Sequence, residues 1–314
     1  MLSEDIKTSA ENRVSTTESV DCNLCGSAES RVRYCSDGAS PADEAAHFAA
    51  TTDRYGDYGT VRECLGCGLV YTSPRLKAQD IHRGYVEVED RDYSAESDSR
   101  CMNAYLGLAR IRKHVPGGSL LEIGCSTGFF LNAARTTYEV VGVEPSRWAA
   151  RCARKRLGLE IAAPTMEEAR FPAAHFDAVA LIDVIEHVAD PSALISEISR
   201  VLKPKGVLYL VTPDIGSFSA RLLRGKWWGL RPAHLFYFSR RTLRAMLEKA
   251  GFEVVSMRSY GRIFTWGYWL SRLVNYPRPI TLAVRAFIRI LRIEDKFLYL
   301  DTRDSVQLIA RKRA

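Results

Sequence analysis

Two different periods of apolar and polar residues alternate along the chain from about residue 102. Short apolar runs rich in Val, Ile and Leu are followed by segments whose apolar residues recur every three to four positions. The runs predict strands, and the segments predict helices. The predicted strands lie at 119–124, 138–146, 159–164, 205–213, 252–259 and 304–312, and a further one opens the segment 175–188. The predicted helices lie at 102–115, 129–137, 147–158, 191–204 and 239–251.

This alternation predicts the fold class. Strands that are apolar along their whole length are buried on both faces, which is typical of a parallel sheet between two layers of helices. Right-handed crossovers then produce a doubly wound α/β fold that binds ligands at the carboxyl ends of its strands. The strands at 252–259 and 304–312 are expected to pair as an antiparallel edge, so we predict a mostly parallel, seven-stranded sheet.

Four of the eight cysteines form two matched pairs ahead of the predicted sheet. Cys22 and Cys25, and likewise Cys64 and Cys67, are separated by two residues and followed by a glycine. That spacing lets both sulfurs of a tight turn face one ion, and four thiolates suit tetrahedral Zn²⁺. We therefore expect a small N-terminal zinc-binding module whose ion is structural, because four protein ligands leave no open position for catalysis. The alternatives are four reduced thiols in turns, or a redox pair.

The chain divides into three parts on these patterns. Residues 1–19 are polar and are expected to form a disordered leader. Residues 20–100 are expected to hold the zinc-binding module and a connector, and residues 101–314 the α/β domain with insertions at 213–238 and 260–303. The leader lacks the apolar centre of a signal peptide, and no run of about 18 apolar residues is present. We therefore expect a cytoplasmic protein whose cysteines are reduced.

The connector contains three tyrosines, Tyr71, Tyr85 and Tyr93, in charged sequence without a clear period. We expect them to be packing residues; the alternative is that they line a pocket.

Charge is unevenly distributed. The net charge is +7, but residues 1–100 carry 11 basic and 19 acidic side chains, whereas residues 215–314 carry 20 and 6. A strongly basic last third indicates that this part meets an anionic molecule. The alternative is a solvated basic face.

The end of the first predicted strand carries a ligand-binding motif. A dinucleotide fingerprint fails there, because Ser126 and Phe129 stand where its second and third glycines would be. The shorter pattern acidic-x-Gly-x-small-x-Gly fits, from Glu122 to Gly128. Glu144, at the end of the second strand, is placed to accept hydrogen bonds from both hydroxyls of a ribose.

The segment from Leu120 to Asp214 resembles the class I S-adenosylmethionine (SAM) dependent methyltransferases. The resemblance lies in LLEIGCSTGFF, in VVGVEPS and in FDAVALIDVIEHVADPSALISEISRVLKPKGVLYLVTPD, the last being similar to the ubiquinone-methyltransferase-like group. The cysteine pairs followed by GLVYTSPRL resemble the zinc-binding module of some bacterial methyltransferases, including sugar methyltransferases. Ser126 stands where the family commonly has glycine, and Glu122 where aspartate is commoner. The resemblance implies a Rossmann-like methyltransferase fold and SAM as the cofactor.

The resemblance also implies which residues hold SAM. Its methionine part is implied to lie against Gly124, Cys125, Ser126 and Gly128, and Glu122 is a further cofactor-binding residue of the same motif. Its ribose and adenine are implied to meet Glu144, Pro145, Met166 and Glu167, and its sulfonium to lie beside Asp183 and Val184. For Met166 the alternative is ordinary core.

Methyl transfer to a hydroxyl needs a base that removes the hydroxyl proton. His187, just after the fourth strand of the fold, is one candidate, and an imidazole has a pKa suited to the task. His234, in a loop expected to fold over the same edge, is the second. The alternative is that His187 only packs or caps the next helix.

The last third of the chain contains the residues that we expect to face the acceptor of the methyl group. The insertion at 213–238 contains four basic residues and two tryptophans that would suit a sugar phosphate or another flat anion: Arg221, Arg224, Lys226, Arg231, Trp227 and Trp228. Residues 281–292 combine arginines at helical spacing with large apolar residues, as in a helix lying in a membrane interface. The alternatives for that helix are packing on the sheet or in a dimer interface; nucleic acid is a third option without a recognised module.

We therefore expect an enzyme that transfers a methyl group from SAM to a hydroxyl of a sugar or lipid-linked saccharide. Contact with the inner face of the membrane is one of the alternatives for its C-terminal region. The alternative acceptor is a quinone-like or other small aromatic molecule. A SAM-binding protein without turnover is the alternative outside the enzymes.

Overall fold

The computed structural model describes residues 17–35, 48, 58–90, 96–272 and 278–313. Its strands are β1 (Thr17–Glu18), β2 (Ser30–Tyr34), β3 (Val61–Cys64), β4 (Val70–Thr72), β5 (Arg75–Leu76), β6 (Gly118–Ile123), β7 (Tyr138–Val143), β8 (Ile161–Ala163), β9 (Phe176–Ile182), β10 (Leu202–Pro213), β11 (Phe236–Tyr237), β12 (Phe252–Ser259), β13 (Arg262–Thr265), β14 (Phe297–Leu300) and β15 (Ser305–Lys312). Its helices are α1 (Ala78–Glu87), α2 (Ser97–Ile111), α3 (Phe129–Ala134), α4 (Arg147–Leu157), α5 (Met166–Ala169), α6 (Pro191–Val201), α7 (Phe218–Leu223), α8 (Arg240–Lys249), α9 (Trp266–Ser271) and α10 (Arg278–Leu291).

The central sheet has seven strands in the order β12-β15-β10-β9-β6-β7-β8. The pairs formed by β10, β9, β6, β7 and β8 are parallel, whereas β15 is antiparallel to both of its neighbours. This confirms the predicted fold class and the predicted antiparallel edge.

Helices cover both faces of this sheet. Alternate residues of each strand point to opposite sides, so Leu121 joins the core beneath α6 and α8, while its neighbour Leu120 joins the core beneath α2, α3 and α4. Both side chains are fully buried, and each contributes about 1.5–3 kcal/mol relative to an exposed position. The apolar runs of the sequence are therefore strands that bury both faces.

Polar residues set the starts of the covering helices. The side chains of Ser146, Asp190 and Ser239 accept hydrogen bonds from backbone N–H groups in the first turns of α4, α6 and α8. Such caps satisfy donors that have no partner within the helix. Two of these helices begin directly after β7 and after the β9 loop, so the caps also position the strand ends that carry the predicted site.

The N-terminal part is tied to the α/β domain by a shared sheet. Strands β2, β3 and β4 form a sheet whose fourth strand, β11, comes from the insertion at 213–238. Tyr71 pairs with Phe236 in it and is buried there, as expected of a packing residue. The leader was predicted to extend to residue 19, but Thr17 and Glu18 pair with β5. Residues 1–16 of the predicted leader, like Tyr93, lie outside the described residues.

The second insertion consists of the antiparallel pair β13–β14 together with α9 and α10. In α10, Ile288 is buried, whereas Leu282, Phe287, Ile290 and Leu291 are at least half exposed. The helix therefore packs along a narrow stripe only. Among the described residues, no helix is both long enough and apolar enough to cross a membrane.

Candidate active site

The carboxyl ends of β6, β7, β9 and β10 converge on one large cavity of about 1500 Å³. Cavities that hold one small ligand usually measure about 300–1000 Å³. This one therefore has room for a cofactor and for a second molecule. Ten of the eleven residues implied to hold SAM line it: Glu122, Gly124, Cys125, Ser126, Glu144, Pro145, Met166, Glu167, Asp183 and Val184.

Gly128 is the eleventh, and it does not line the cavity. A Cβ atom on Gly128 would stand 2.4 Å from Leu159 Cδ1 and 3.2 Å from Ala153 Cβ, at a positive φ of 88°. This glycine lets the start of α3 pack closely on its neighbours, and its predicted contact with the methionine part of SAM stays a prediction. Gly124 differs: it lines the cavity at φ 71°, and a Cβ there would stand 2.5 Å from Val184 Cγ2.

Glu144 joins the two halves of the motif. Its carboxylate accepts hydrogen bonds from the backbone N–H of Ser126 at 2.7 Å and of Ser146 at 2.8 Å. Ser126 has a left-handed φ of 48°, which directs its N–H to that carboxylate. Burial raises the pKa of Glu144 to about 7, although the two N–H donors act in the opposite direction. A carboxylate has about four acceptor positions, so two remain for a ligand.

Glu122 has a buried oxygen that is not satisfied. Its Oε2 atom has no hydrogen-bond partner among the described residues, and the side chain is almost completely buried. Burial, with the nearby Glu144 carboxylate, raises the pKa of Glu122 well above its ordinary value. A buried acceptor without a partner is costly, and a ligand with an N–H donor would supply that partner.

Asp183, which directly follows β9, forms an ion pair that the sequence did not suggest. Its Oδ1 lies 2.8 Å from Nη2 of Arg262, which also lines the cavity. Burial alone would lower the pKa of this arginine, but the Asp183 carboxylate raises it. The only sequence signal for Arg262 was a single cation within the aromatic segment GRIFTW.

Both predicted histidines lie together in the cavity. The ring centroids of His187 and His234 are 4.6 Å apart, and the rings meet edge to face. Glu186 lies beside them: a ligand atom from each of these three residues falls within 4.8 Å of the other two. The carboxylate of Glu186 is buried and accepts a hydrogen bond from the Thr212 hydroxyl at 2.9 Å.

Burial sets the protonation of this cluster. It lowers the pKa of His187 to about 4 and lowers that of His234 strongly, so both rings are neutral at pH 7. Burial, reinforced by Asp183, raises the pKa of Glu186 to about 8.

The hydrogen bonds of the two rings indicate which nitrogen is protonated. Nδ1 of His234 lies 2.8 Å from the carbonyl oxygen of Gly229, and Nδ1 of His187 lies 3.0 Å from that of Ala233. A carbonyl only accepts, so we assign the proton to Nδ1 in each ring, which leaves the lone pair on Nε2. In this tautomer the Tyr85 hydroxyl, 2.8 Å from Nδ1 of His187, can only accept from that ring.

Tyr85 lines the cavity, which agrees with the alternative that the connector tyrosines line a pocket rather than with a purely packing role. Its hydroxyl lies 2.8 Å from Nδ1 of His187, and the side chain lines the cavity. Helix α1 of the connector carries Tyr85, so the connector forms part of the cavity wall. A tyrosine without a local motif gave no means of predicting this contact.

The first insertion reaches the cavity with three of its predicted acceptor residues, Lys226, Trp228 and Arg231. The Trp228 indole donates a hydrogen bond to Asp304 at 2.6 Å. Trp227 is buried in a separate core cluster, and Arg221 and Arg224 do not line the cavity. Of the residues predicted to suit an acceptor, the insertion thus contributes one tryptophan and two basic side chains to the cavity.

The four paired cysteines converge outside this cavity. Their sulfur atoms all lie within 4.8 Å of one another, with Cys22 and Cys67 at 3.4 Å and Cys25 and Cys64 at 3.5 Å. Zn–S bonds of about 2.3 Å in a tetrahedron place sulfurs about 3.8 Å apart, so the cluster needs little adjustment to hold zinc. Gly26 and Gly68, with φ near 77° and 78°, close the two turns in the same way.

Comparison with known proteins identifies the class. A family model described as "Methyltransferase domain" matches residues 93–257, which is more than half of the chain, and the chain belongs to this family. The "Ubiquinone biosynthesis O-methyltransferase" of Cereibacter sphaeroides is 30% identical over 188 residues, which are 54% of this chain and 74% of that protein. The chain therefore carries a methyltransferase domain, and it is similar to proteins that are named as SAM-dependent methyltransferases.

Two further comparisons define the extent of the likeness. A "Probable S-adenosylmethionine-dependent methyltransferase" of Mycolicibacterium smegmatis is 32% identical over 147 residues, which are 46% of this chain and 56% of that protein. The chain thus spans about half the length of that relative. A Haloferax volcanii methyltransferase solved with the Trm112 methyltransferase activator superimposes with a TM-score of 0.52 at 18% identity, covering 76% of this chain and 98% of its own, and shares the fold.

Proposed function

We propose that the acceptor is a hydroxyl group of a sugar or lipid-linked saccharide. The observation that carries this proposal is the composition of the cavity: the Glu122–Glu144 motif lies on two of its strand ends, and buried histidines, Lys226, Trp228 and Arg231 share the same space. An aromatic face and two cations suit a sugar that carries phosphate.

SAM is held by the residues at the ends of β6 and β7. Glu122 accepts a hydrogen bond from the ligand, Glu144 accepts from the ribose hydroxyls, and the bare backbone at Gly124 permits a close approach. Pro145, Met166 and Glu167 border the adenine, and Asp183, held by Arg262, lies at the reacting end. Bound SAM supplies a methyl group that is already activated by its sulfonium.

The remaining task of the protein is to orient the acceptor and take up its proton. His187 is suited to this in its neutral form, because its Nδ1–H is engaged with Ala233 and its Nε2 carries the lone pair. Tyr85 and His234 hold its ring. Exclusion of water by the burial of these groups strengthens each of these interactions.

A second candidate acceptor is a quinone-like aromatic. The ubiquinone biosynthesis O-methyltransferase among the relatives favours it, and so do the aromatic side chains of Phe264, Trp266, Tyr268 and Trp269 in the cavity wall.

The second insertion, residues 260–303, is suited to contact a lipid surface at the inner face of the membrane. Leu282, Phe287 and Ile290 of α10 are exposed beside arginines, while Val284 and Ile288 of the same helix line the cavity. A helix of this kind lies in an interface with its apolar side chains in the lipid and its cations at anionic headgroups. A lipid-linked acceptor would then enter beside α10.

A single zinc ion held by Cys22, Cys25, Cys64 and Cys67 is the proposed structural cofactor. This proposed site agrees with the proposed division of the chain into a zinc module with connector at 20–100 and a methyltransferase domain from 101 onwards. Its effect reaches the domain through the sheet shared by β4 and β11.

The test is transfer of an isotopically labelled methyl group from SAM to cell-envelope extracts. Label in a lipid-linked saccharide fraction is the expected result. Label in the quinone fraction would contradict the saccharide and select the aromatic acceptor. Glu144→Ala should abolish either signal, and Glu139→Ala, an exposed glutamate on the same strand, should leave it unchanged.

A further inference from the structure

We propose that Glu186, His187 and His234 form a binding site for a divalent transition-metal cation inside the active-site cavity. Each residue offers one ligand atom, and these atoms lie within 4.8 Å of one another. Two imidazoles and one carboxylate make up the ligand set of many sites that bind such cations and keep positions open. This site is distinct from the four-cysteine cluster in its residues and its ligand type.

The surrounding hydrogen bonds present the correct atoms. Protein histidines that bind metals commonly donate the other ring N–H to a carbonyl or carboxylate, which orients the ring. Both rings do so here, His234 to Gly229 and His187 to Ala233. Their Nε2 lone pairs are therefore available to a cation.

The carboxylate of Glu186 is oriented in the same way. The Thr212 hydroxyl donates to Oε2, which leaves Oε1 as the ligand atom. Burial makes the ionised form of this group costly, and a bound cation would favour that form.

The backbone fixes the separation of the ligands. The N–H groups of Leu235 and Phe236 both donate to the carbonyl oxygen of Glu186, at 2.8 and 3.1 Å. Glu186, in the loop that follows β9, is thereby joined to the loop that carries His234. The geometry is held by main-chain bonds rather than by flexible side chains.

The open positions of the cation would bind the acceptor, and this part of the inference rests on the proposed function. A cation with three protein ligands has room for two adjacent oxygens, as in the vicinal diol of a sugar or a catechol. Coordination lowers the pKa of a bound hydroxyl, as it does for bound water. The acceptor O–H bond breaks with release of the proton to water. The oxygen then forms a bond to the methyl carbon of SAM, and the C–S electron pair stays on sulfur. His187 acts here as a ligand, and its lone pair no longer serves as the base.

The experiment is a titration of Mn²⁺ into the zinc-loaded full chain, followed by calorimetry and by the loss of free-Mn²⁺ electron paramagnetic resonance. One Mn²⁺ per chain is expected. Glu186→Gln and His234→Ala should each weaken binding by at least about 100-fold, and Thr212→Val, which removes only the orienting hydroxyl, by about 10–100-fold. His175→Ala, an exposed histidine away from the cavity, is the matched control.

Absence of bound Mn²⁺ in the wild type, or equal binding in the wild type and in Glu186→Gln, would overturn the inference. Retained SAM affinity in each variant shows that it is folded. Glu186→Gln separates the two metal sites, because it should lose Mn²⁺ and keep its zinc. Saccharide methylation that continues in a chelator would reject the cation and keep the proposed function. Mn²⁺ binding without saccharide methylation would keep the site and reject that acceptor.

Discussion

The hydroxyl of Thr72, in the N-terminal sheet, donates a hydrogen bond to the backbone carbonyl of His234 at 3.1 Å. The N–H of the same threonine donates to the carbonyl of Leu235 at 2.8 Å. The cysteine-bearing part of the chain therefore holds the loop that carries a candidate catalytic histidine. This explains why an N-terminal module would accompany a methyltransferase domain: it positions the acceptor side of the cavity.

Thr72→Val tests that connection. The substitution keeps the shape and removes one buried hydrogen bond, so the free energy of unfolding should fall by about 1 kcal/mol. The turnover number should fall while SAM affinity is unchanged, because the loop lies on the acceptor side. Thr136→Val is the control, since Thr136 makes the same kind of bond to Ala133, away from the cavity. Equal effects of the two substitutions would refute the positional role.

Glu144→Ala should weaken SAM binding measured by calorimetry. Each charge-assisted hydrogen bond from a ribose hydroxyl is worth about 1.5–3 kcal/mol, so the loss should exceed about 10-fold. Glu139→Ala on the same strand should bind normally. Unchanged SAM affinity in Glu144→Ala would show that this carboxylate does not hold the ribose.

The same carboxylate predicts a pH dependence. Burial raises the pKa of Glu144 to about 7, and the ionised form is the better acceptor. SAM affinity should therefore rise as the pH increases from 6 to 8, and Glu144→Gln should flatten that profile. A wild-type affinity that falls over this range would contradict the assignment.

His187→Ala should lower kcat by about 100-fold or more with nearly intact SAM affinity. Burial lowers the pKa of His187 to about 4, so a free imidazole base would lose activity only as the pH falls towards 4. Steady-state rates measured from pH 4 to 9 would show this loss of activity at low pH. His82→Ala, which changes an exposed histidine of the same cavity, should be mild. Wild-type turnover in His187→Ala would leave this histidine as a packing residue.

Cys64→Ser should remove zinc, as metal analysis would show, and disturb the sheet formed by β2, β3, β4 and β11. Methyl transfer should be lost, because β4 holds the His234 loop, while SAM affinity should change little. Cys152→Ser, in α4, should keep zinc and activity. A wild-type protein without stoichiometric zinc would reject the metal site.

Ile290→Glu tests the lipid surface. The side chain is 79% exposed, so the change should not affect stability, but it would place a charge against the lipid. Binding to phosphatidylglycerol vesicles in a sedimentation assay should fall at least about 10-fold, since one buried apolar side chain contributes about 1.5–3 kcal/mol. Glu294→Gln, just beyond α10, is the control. Equal sedimentation of wild type and Ile290→Glu would exclude α10 as the membrane contact.

The sequence alone determined the parts of this protein that depend on neighbouring residues. The period of apolar positions predicted the seven-stranded sheet, because a buried strand and an amphipathic helix differ in their spacing. The motif from Glu122 to Gly128 and the glutamate at 144 were recognisable for a related reason: a turn at a strand end needs small residues at set positions.

Only the tertiary structure decided how distant segments complete the cavity. Arg262 and Asp183 are 79 residues apart, and Tyr85 and His187 are 102 apart. Neither Arg262 nor Tyr85 lies in a periodic motif, so no local signal marked them as site residues. Such pairs form because the connector and the second insertion pack onto the sheet, which brings their side chains into the same buried space. The packing around Gly128 is also a tertiary feature, because the nearness of Leu159 and Ala153 depends on how α4 and its following loop pack against the start of α3.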